Sequence, residues 1–461
     1  MGRLFGTDGA RGIAITELTC ETAMNIGRAA ALVLTKTTQH RPKILIGKDT
    51  RISSDVLEAA LVAGICSVGA DAHLLGVIPT PAVAALVTKY GADAGVMISA
   101  SHNSVEFNGI KLFSGTGFKL SDEIENEIES LILDYPEDMK LCNGTYVGRV
   151  HYEKDAEWDY ARMIIKSVNH SLRGIRVAID CANGASFSCA EKIFTGLGAT
   201  CYFINNTPDG TNINKNCGST DMESLCEFVK AKRCHAGLAF DGDADRCLVC
   251  DEGGNLIDGD KLLAIFSKSM KAAGTLKHNT CVVTVMTNLG FFKFAKESGV
   301  VVTTTTVGDR YVLEEMQKGD YNLGGEQSGH IIFLDESKTG DGELTGAKLL
   351  EVLAKANNTT VKVPLSELAG VMSCYPQTLV NVTIHPSKKG VWQEDEEVKA
   401  VMRSCAEKLG DDGRILVRES GTEPLVRVML EGKQYGLIVD YAKRIADQIK
   451  AACSEETAEQ A

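Results

Sequence analysis

The chain offers nothing to a membrane. No window approaches about eighteen uninterrupted apolar residues, and the opening MGRLFGTDGARG holds no apolar signal core. The expected compartment is the cytoplasm. Positive charge is also short: 48 Lys and Arg stand against 61 Asp and Glu, a net −13. That balance argues against nucleic acid and anionic membrane as main partners and leaves a small anion gripped by a local basic cluster. Cysteine is plentiful, fifteen in all, but zinc spacing is missing. The one C-x-x-C, Cys247–Cys250, has no second pair, and residues three apart on a strand face opposite sides. The cysteines read as reduced core fillers. Neither a G-x-S-x-G elbow nor a G-x-x-x-x-G-K-[ST] loop occurs, which counts against a serine hydrolase and a P-loop kinase.

What is present is an ordinary globular composition, 44% hydrophobic and 24% charged, over 461 residues. That length suits about three domains of roughly 150 residues. A strand–turn–helix–strand pattern recurs three times, from KILIGKDT (43–50), RVAIDCANGA (176–185) and CVVTVMTNLG (281–290). It predicts βαβ units with parallel strands. In the first copy the helix stripe is Leu57, Leu61, Ile65 and Val68, with a start expected at Asp55 and Glu58 completing a capping box. The end of the chain differs: TLVNVTI, a helix near 394–409, RILVRES, PLVRVML and a helix over 435–452 read as an α+β module with antiparallel strands. The expected fold is α/β, three related mixed-sheet α/β domains plus a C-terminal α+β domain. The expected divisions are 1–152, 153–256, 257–371 and 372–461, the last ending in a disordered acidic tail.

Four stretches carry chemistry. The first is AGVMISASHNSVEFNGIKLF (94–113). Ala94–Ile98 reads as a buried strand that stops in small polar residues, which places the Ser101 hydroxyl and His102 at a strand's carboxyl end, where α/β sheets keep their sites. Asn108-Gly109 predicts a tight turn before a strand carrying Lys111. The second is Asp241-Gly-Asp-Ala-Asp-Arg246 between two apolar strands. Carboxylates at i, i+2 and i+4 repel unless a cation sits among them, and hard oxygen ligands favour Mg²⁺ or Ca²⁺. An EF-hand is the rival, with Glu252 at the twelfth position, but Arg246 holds the sixth, where Gly is needed. The third is Gly324-Gly-Glu-Gln-Ser-Gly-His330, where Glu326 and Ser328 suit sugar hydroxyls and His330 can titrate near neutrality. The fourth is Arg418-Glu-Ser-Gly-Thr-Glu-Pro424 with Arg427, where small polar residues and arginine suit a phosphate. Arg11, Lys48 and Arg51 are further anion candidates. For each stretch a plain polar turn or salt bridge is the alternative reading.

Together, and in this order, the four stretches resemble the α-D-phosphohexomutase family, over nearly the whole chain from FGTDGARG to RESGTEPLVRVMLEG. The resemblance implies four domains around one cleft. It implies Ser101 as a phosphoserine, and one Mg²⁺ held by Asp241, Asp243, Asp245 and the Ser101 phosphate. Gly308, Glu326 and Ser328 then belong to the sugar loop, and Arg418, Ser420, Gly421, Thr422 and Arg427 to a distal phosphate loop. Lys111 and His330 become the candidates for moving the hydroxyl proton, Arg246 the holder of the phosphoserine, Arg11 an anion contact and His102 a loop-orienting residue. The implied reaction moves phosphate between O6 and O1 of a phosphosugar through a hexosamine 1,6-bisphosphate. Gln327, VGDRYVLEEM (307–316) and MTNLG (286–290) point to glucosamine phosphate; glucose- or mannose-type substrates are the alternative, and a calcium-binding protein a remote one. Ser104 stands where the family often has Pro, which loosens the loop. The oligomeric state stays open, a homodimer being one candidate.

Overall fold

A computed structural model describes residues 3–6, 8–358, 362–420 and 424–453. The chain forms two compact units, the first reaching Thr287 and resuming over Ser298–Val371, the second joining Asn288–Glu297 to the chain from Met372 onward.

Among the described residues, the first unit holds three sheets. Six strands pair in the order Ala10–Ile13, Phe107–Ser114, Ala94–Ile98, Lys43–Lys48, Asp71–Val77, Val150–Tyr152. A five-stranded sheet spans Arg176 to Ile257, and a four-stranded sheet Thr280 to Phe333. The three anticipated βαβ pairs are parallel: Lys43–Lys48 with Asp71–Val77, Arg176–Asp180 with Thr200–Ile204, and Thr280–Thr284 with Val301–Thr305. The helix Ile52–Ser67 joins the first pair and buries Leu57, Leu61 and Ile65 completely, each adding about 1.5–3 kcal/mol. All five residues of Ala94–Ile98 are buried, as a central strand covered on both faces requires.

Two local expectations fail. The first helix begins at Ile52 rather than Asp55, and its N-cap Arg51 makes no side-chain cap. The Asp55 and Glu58 carboxylates instead take the Lys48 ammonium, at 2.7 and 2.6 Å, so no capping box forms and Lys48 is not an anion contact. Asn108-Gly109 is not a turn but lies inside the strand Phe107–Ser114, opposite Gly12 and Arg11. The Asn108 amide donates to Ser53 and Ser54, and a Cβ on Gly109 would meet the Ser99 carbonyl at 2.6 Å. Close packing, not turning, explains that pair.

The second unit is an antiparallel sheet in the order Gln377–Thr383, Leu425–Gly432, Gly413–Glu419, with the helices Glu396–Leu409 and Tyr435–Ala452. Its core gathers Val398, Cys405, Val428, Leu430, Ile438 and Ile445. The helix Leu289–Ser298, the crossover of the third βαβ unit, belongs almost entirely to this unit. The acidic tail lies outside the described residues. All fifteen cysteines are free thiols, Cys247 and Cys250 both buried. No described helix is long and apolar enough to cross a membrane.

Candidate active site

Ser101 follows the buried strand Ala94–Ile98 and is itself buried, with φ at 51°, a left-handed conformation that costs a β-carbon residue about 1–3 kcal/mol. Its surroundings enforce that conformation. The Ser101 N–H donates to Ser99 Oγ at 2.9 Å, and Ser99 Oγ donates to Asp49 at 2.6 Å. The Ser101 carbonyl accepts from Arg51 at 3.0 Å and from the Asn214 amide at 2.8 Å. Arg51 is fully buried, paired through Nε with Asp49 at 2.8 Å, and also donates to the carbonyls of Asn103 and Ser104. It therefore holds the loop from within and is not an anion contact. Sequence reasoning found Arg51 but not this role, because its three carbonyl partners carry no side-chain signal.

The aspartate loop turns between the strands Ala236–Phe240 and Cys247–Asp251, which pair antiparallel. The Ser101 hydroxyl donates to Asp241 Oδ2 at 2.6 Å. Gly242 permits this approach, since a Cβ there would lie 2.5 Å from the Ser101 carbonyl. Asp241, Asp243 and Asp245 are buried, and they offer carboxylate oxygens that lie within 4.8 Å of one another. Burial pushes the Asp241 carboxyl far up, and the Asp245 and Asp243 charges push it further. Burial also raises Asp245, but the Lys111 charge, a hydrogen bond from His330 and the Arg246 charge outweigh it and hold that carboxyl low.

Lys111 is fully buried, its ammonium 2.8 Å from Asp243, 3.1 Å from Asp8 and 3.6 Å from Asp245. Burial alone would favour the neutral amine; the three carboxylates reverse this and raise its pKa. Lys111 is thus a fixed cation rather than a free base. Asp8 also pairs with Arg11 and with Lys119, and Lys119 reaches Asp309 at 2.5 Å. Asp8, Lys119 and Asp309 were missed in the sequence, although Asp8 and Asp309 lie inside motifs singled out there. The Nε atoms of Arg11 and Arg246 are buried with no hydrogen-bond acceptor, donors suited to an anion. His102 Nδ1 lies 3.4 Å from Ser101 Oγ and from Arg246, and burial with the nearby Arg246 charge keeps its ring neutral.

His330 is buried, with Nδ1 3.6 Å from Asp245 and Nε2 3.6 Å from Asp309. Burial opposes the charged ring, while these carboxylates favour it and raise its pKa. The Gly340 N–H, however, donates to Nε2 at 3.0 Å, which requires a lone pair there. The hydrogen bonding therefore supports a neutral ring with its proton on Nδ1, facing Asp245.

In the stretch Gly324–His330, Glu326 accepts from the Gly308 N–H at 3.1 Å, and Ser328 Oγ is buried with no hydrogen-bond partner. Gln327 donates to Asp258 at 3.3 Å. In the second unit, Arg418 and Arg427 stand directly opposite on paired strands. Burial and the Arg427 charge lower the Arg418 pKa, a like-charged pairing that an anion relieves. Ser420 is buried. Gly421 and Thr422 lie outside the described residues.

Four domain models of one family match the chain, described as phosphoglucomutase/phosphomannomutase alpha/beta/alpha domains I (residues 2–139), II (158–254) and III (258–375) and the C-terminal domain (379–448). The chain belongs to the phosphoglucomutase/phosphomannomutase family. Among curated relatives, a phosphoglucosamine mutase of Clostridium perfringens is 54% identical over 454 residues, covering 98% of this chain and 100% of that one. A phosphoglucomutase/phosphomannomutase family protein of Burkholderia thailandensis has the same fold, with a TM-score of 0.81 at 23% identity over 98% of both chains. The N-acetylphosphoglucosamine mutase of Aspergillus fumigatus, solved with GlcNAc-6P and magnesium, matches at a TM-score of 0.67 and 18% identity over 98% of this chain and 96% of that one.

A metal ion fits the aspartate loop of this phosphoglucomutase/phosphomannomutase-family chain. Asp243 Oδ1 and Asp245 Oδ1 are buried with no hydrogen-bond donor, and like charge raises Asp241. A hard divalent cation answers both features. The EF-hand alternative fails, because Glu252 accepts from Ser366 and the loop's flanks are strands, not helices.

Proposed function

We propose that the chain interconverts glucosamine 6-phosphate and glucosamine 1-phosphate, with Ser101 as phosphoryl carrier and a hexosamine 1,6-bisphosphate between the two half-reactions. The observation that carries the proposal is the buried Ser101 hydroxyl, 2.6 Å from Asp241 in a cluster of three aspartates. Support for the sugar comes from a relative of 54% identity over nearly the full chain, named phosphoglucosamine mutase.

Asp241, Asp243, Asp245 and a Ser101 phosphate oxygen would hold Mg²⁺, which would supply charge neutralisation at the moving phosphoryl group. The chain's own residues do the rest. In the first half-reaction the sugar O1 bonds to phosphorus, the P–Oγ bond of phospho-Ser101 breaks, and the O1 proton leaves to a base. Lys111 is committed as a cation to three carboxylates, so that role falls to His330, whose Nε2 lone pair exchanges the Gly340 N–H for the O1 proton. The unpaired Nε donors of Arg11 and Arg246 bind the phosphoryl oxygens in both directions. The bisphosphate turns over, Ser101 Oγ bonds to the phosphorus on O6, the P–O6 bond breaks, and O6 takes the proton held on His330, which restores phospho-Ser101. A covalent carrier is required because one site cannot otherwise serve both ends of the sugar. Glu326, Ser328 and Gly308 position the hydroxyls, and Arg418, Ser420 and Arg427 hold the phosphate that is not reacting. The reaction belongs in the cytoplasm, where phosphosugars are made.

Rates on glucosamine, glucose and mannose 6-phosphates, measured side by side, test the substrate. Glucosamine 6-phosphate is expected to have the largest kcat/KM; a larger value for either other sugar contradicts the assignment.

A further inference from the structure

We propose that Asp71, His73 and His151 form a second metal site, for a borderline divalent cation of the Zn²⁺ class, at the edge of the six-stranded sheet. The site follows from strand register. Val150–Tyr152 pairs parallel with Asp71–Val77, setting His73 opposite His151. Asp71 and Glu153 lie two residues from these histidines, so alternation aims all four side chains at one face.

The local geometry is that of a ligand set. The two imidazoles stack with centroids 4.4 Å apart and planes 16° from parallel. His73 Nδ1 lies 2.6 Å from Glu153, which fixes the ring and leaves Nε2 as the ligating atom. A carboxylate behind a histidine is the usual outer support of a metal-bound imidazole. Asp71 Oδ1 accepts from the Arg149 N–H at 2.7 Å, with Arg41 3.4 Å away, and Oδ2 is turned to His151 Nε2 at 3.7 Å. One ligand atom from each of the three residues lies within 4.8 Å of the others. Zinc bonds of about 2.0–2.2 Å require this set to draw inward and the stack to open until both lone pairs lie in plane with one ion, a turn that the half-exposed His151 ring allows. Two imidazoles and one carboxylate select zinc-class ions, whereas the three aspartates select Mg²⁺. The bound ion clamps a three-residue strand, exposed along its length, that leads to the helix Ala156–Ser167.

The test is a titration of the full chain with Zn²⁺, and separately with Co²⁺ as a visible probe, in excess Mg²⁺ so that the aspartate loop stays occupied. One equivalent of Zn²⁺ is expected to bind and raise the Tm, and Co²⁺ to give the strong visible absorption of four-coordinate cobalt. His73→Ala and His151→Ala should abolish both. Glu153→Gln should weaken binding about 10–100-fold. Asp243→Asn should leave binding intact, and His151→Ala should leave Mg²⁺-supported turnover unchanged. Absence of Zn²⁺ binding by the wild-type chain, or wild-type binding by His151→Ala, overturns the proposal. His151 is 43% exposed, against 13% for His73, so its variant decides if His73→Ala does not fold.

Discussion

Arg51→Met tests whether the serine loop is held from inside. The Arg51 side chain is entirely buried, and it binds Asp49 at 2.8 Å and the carbonyls of Ser101 and Asn103 at 3.0 and 2.8 Å, with Ser104 as a fourth partner. Removing one member of a buried ion pair costs about 3–5 kcal/mol. Asn214 keeps a bond to the Ser101 and Asn103 carbonyls, at 2.8 and 3.0 Å, and Ser54 and Ser99 still donate to Asp49. These residual partners set the expected loss at the lower end, about 3 kcal/mol. The rate should suffer as well, because a displacement of about 1 Å at a reacting group costs about 10²-fold. Arg51→Lys keeps the charge but loses the planar fork, so it should fall between wild type and Arg51→Met on both measures. Urea unfolding in saturating Mg²⁺ reads the stability, and a coupled mutase assay reads kcat. A urea midpoint equal to wild type, with kcat within about twofold, refutes the positioning role.

Three further outcomes are expected. Burial holds the Asp341 carboxyl at about 7, while in the unfolded chain it titrates near 3.9. The folded chain binds the extra proton between those values, so this group's contribution to stability falls as pH rises from about 4 to about 7 and then levels off. Asp341→Asn retains an acceptor for the Leu344 N–H and the Tyr160 hydroxyl, both at 2.9 Å. Relative to wild type it should therefore gain stability with rising pH, on the order of 4 kcal/mol by pH 8; urea midpoints that keep a constant difference from pH 4 to 8 contradict this. Chelation should stop turnover and added Mg²⁺ restore it, and Asp243→Asn should lose activity at every Mg²⁺ concentration; chelator-insensitive turnover contradicts the aspartate assignment.

Elements whose apolar period is strong were legible in the sequence. Leu57, Leu61 and Ile65 of the anticipated stripe are buried, while Val68 falls at the helix C-cap and is half-buried, and the three βαβ pairs and the antiparallel C-terminal sheet follow the pattern. The aspartate loop was legible because like charges at that spacing demand a cation. What was hidden depends on partners far along the chain. Asn108-Gly109 carries a turn signature, but Ser53, Ser54 and the Ser99 carbonyl impose a strand. Asp55 and Glu58 look like a helix start until Lys48 is seen between them. Asp8 becomes important only once folding brings Lys111 and Lys119 to it. Lys111 was a plausible base in the sequence; three surrounding carboxylates, two of them buried, make it a cation.

The most direct test follows one phosphorus atom. Protein carrying ³²P on Ser101 is mixed with unlabelled glucosamine 6-phosphate and quenched within a few turnovers. The label is expected to leave the protein for the sugar phosphates as fast as product forms, and Ser101→Ala should neither take up label nor turn over. Product formed while the label stays on the protein contradicts a carrier at Ser101.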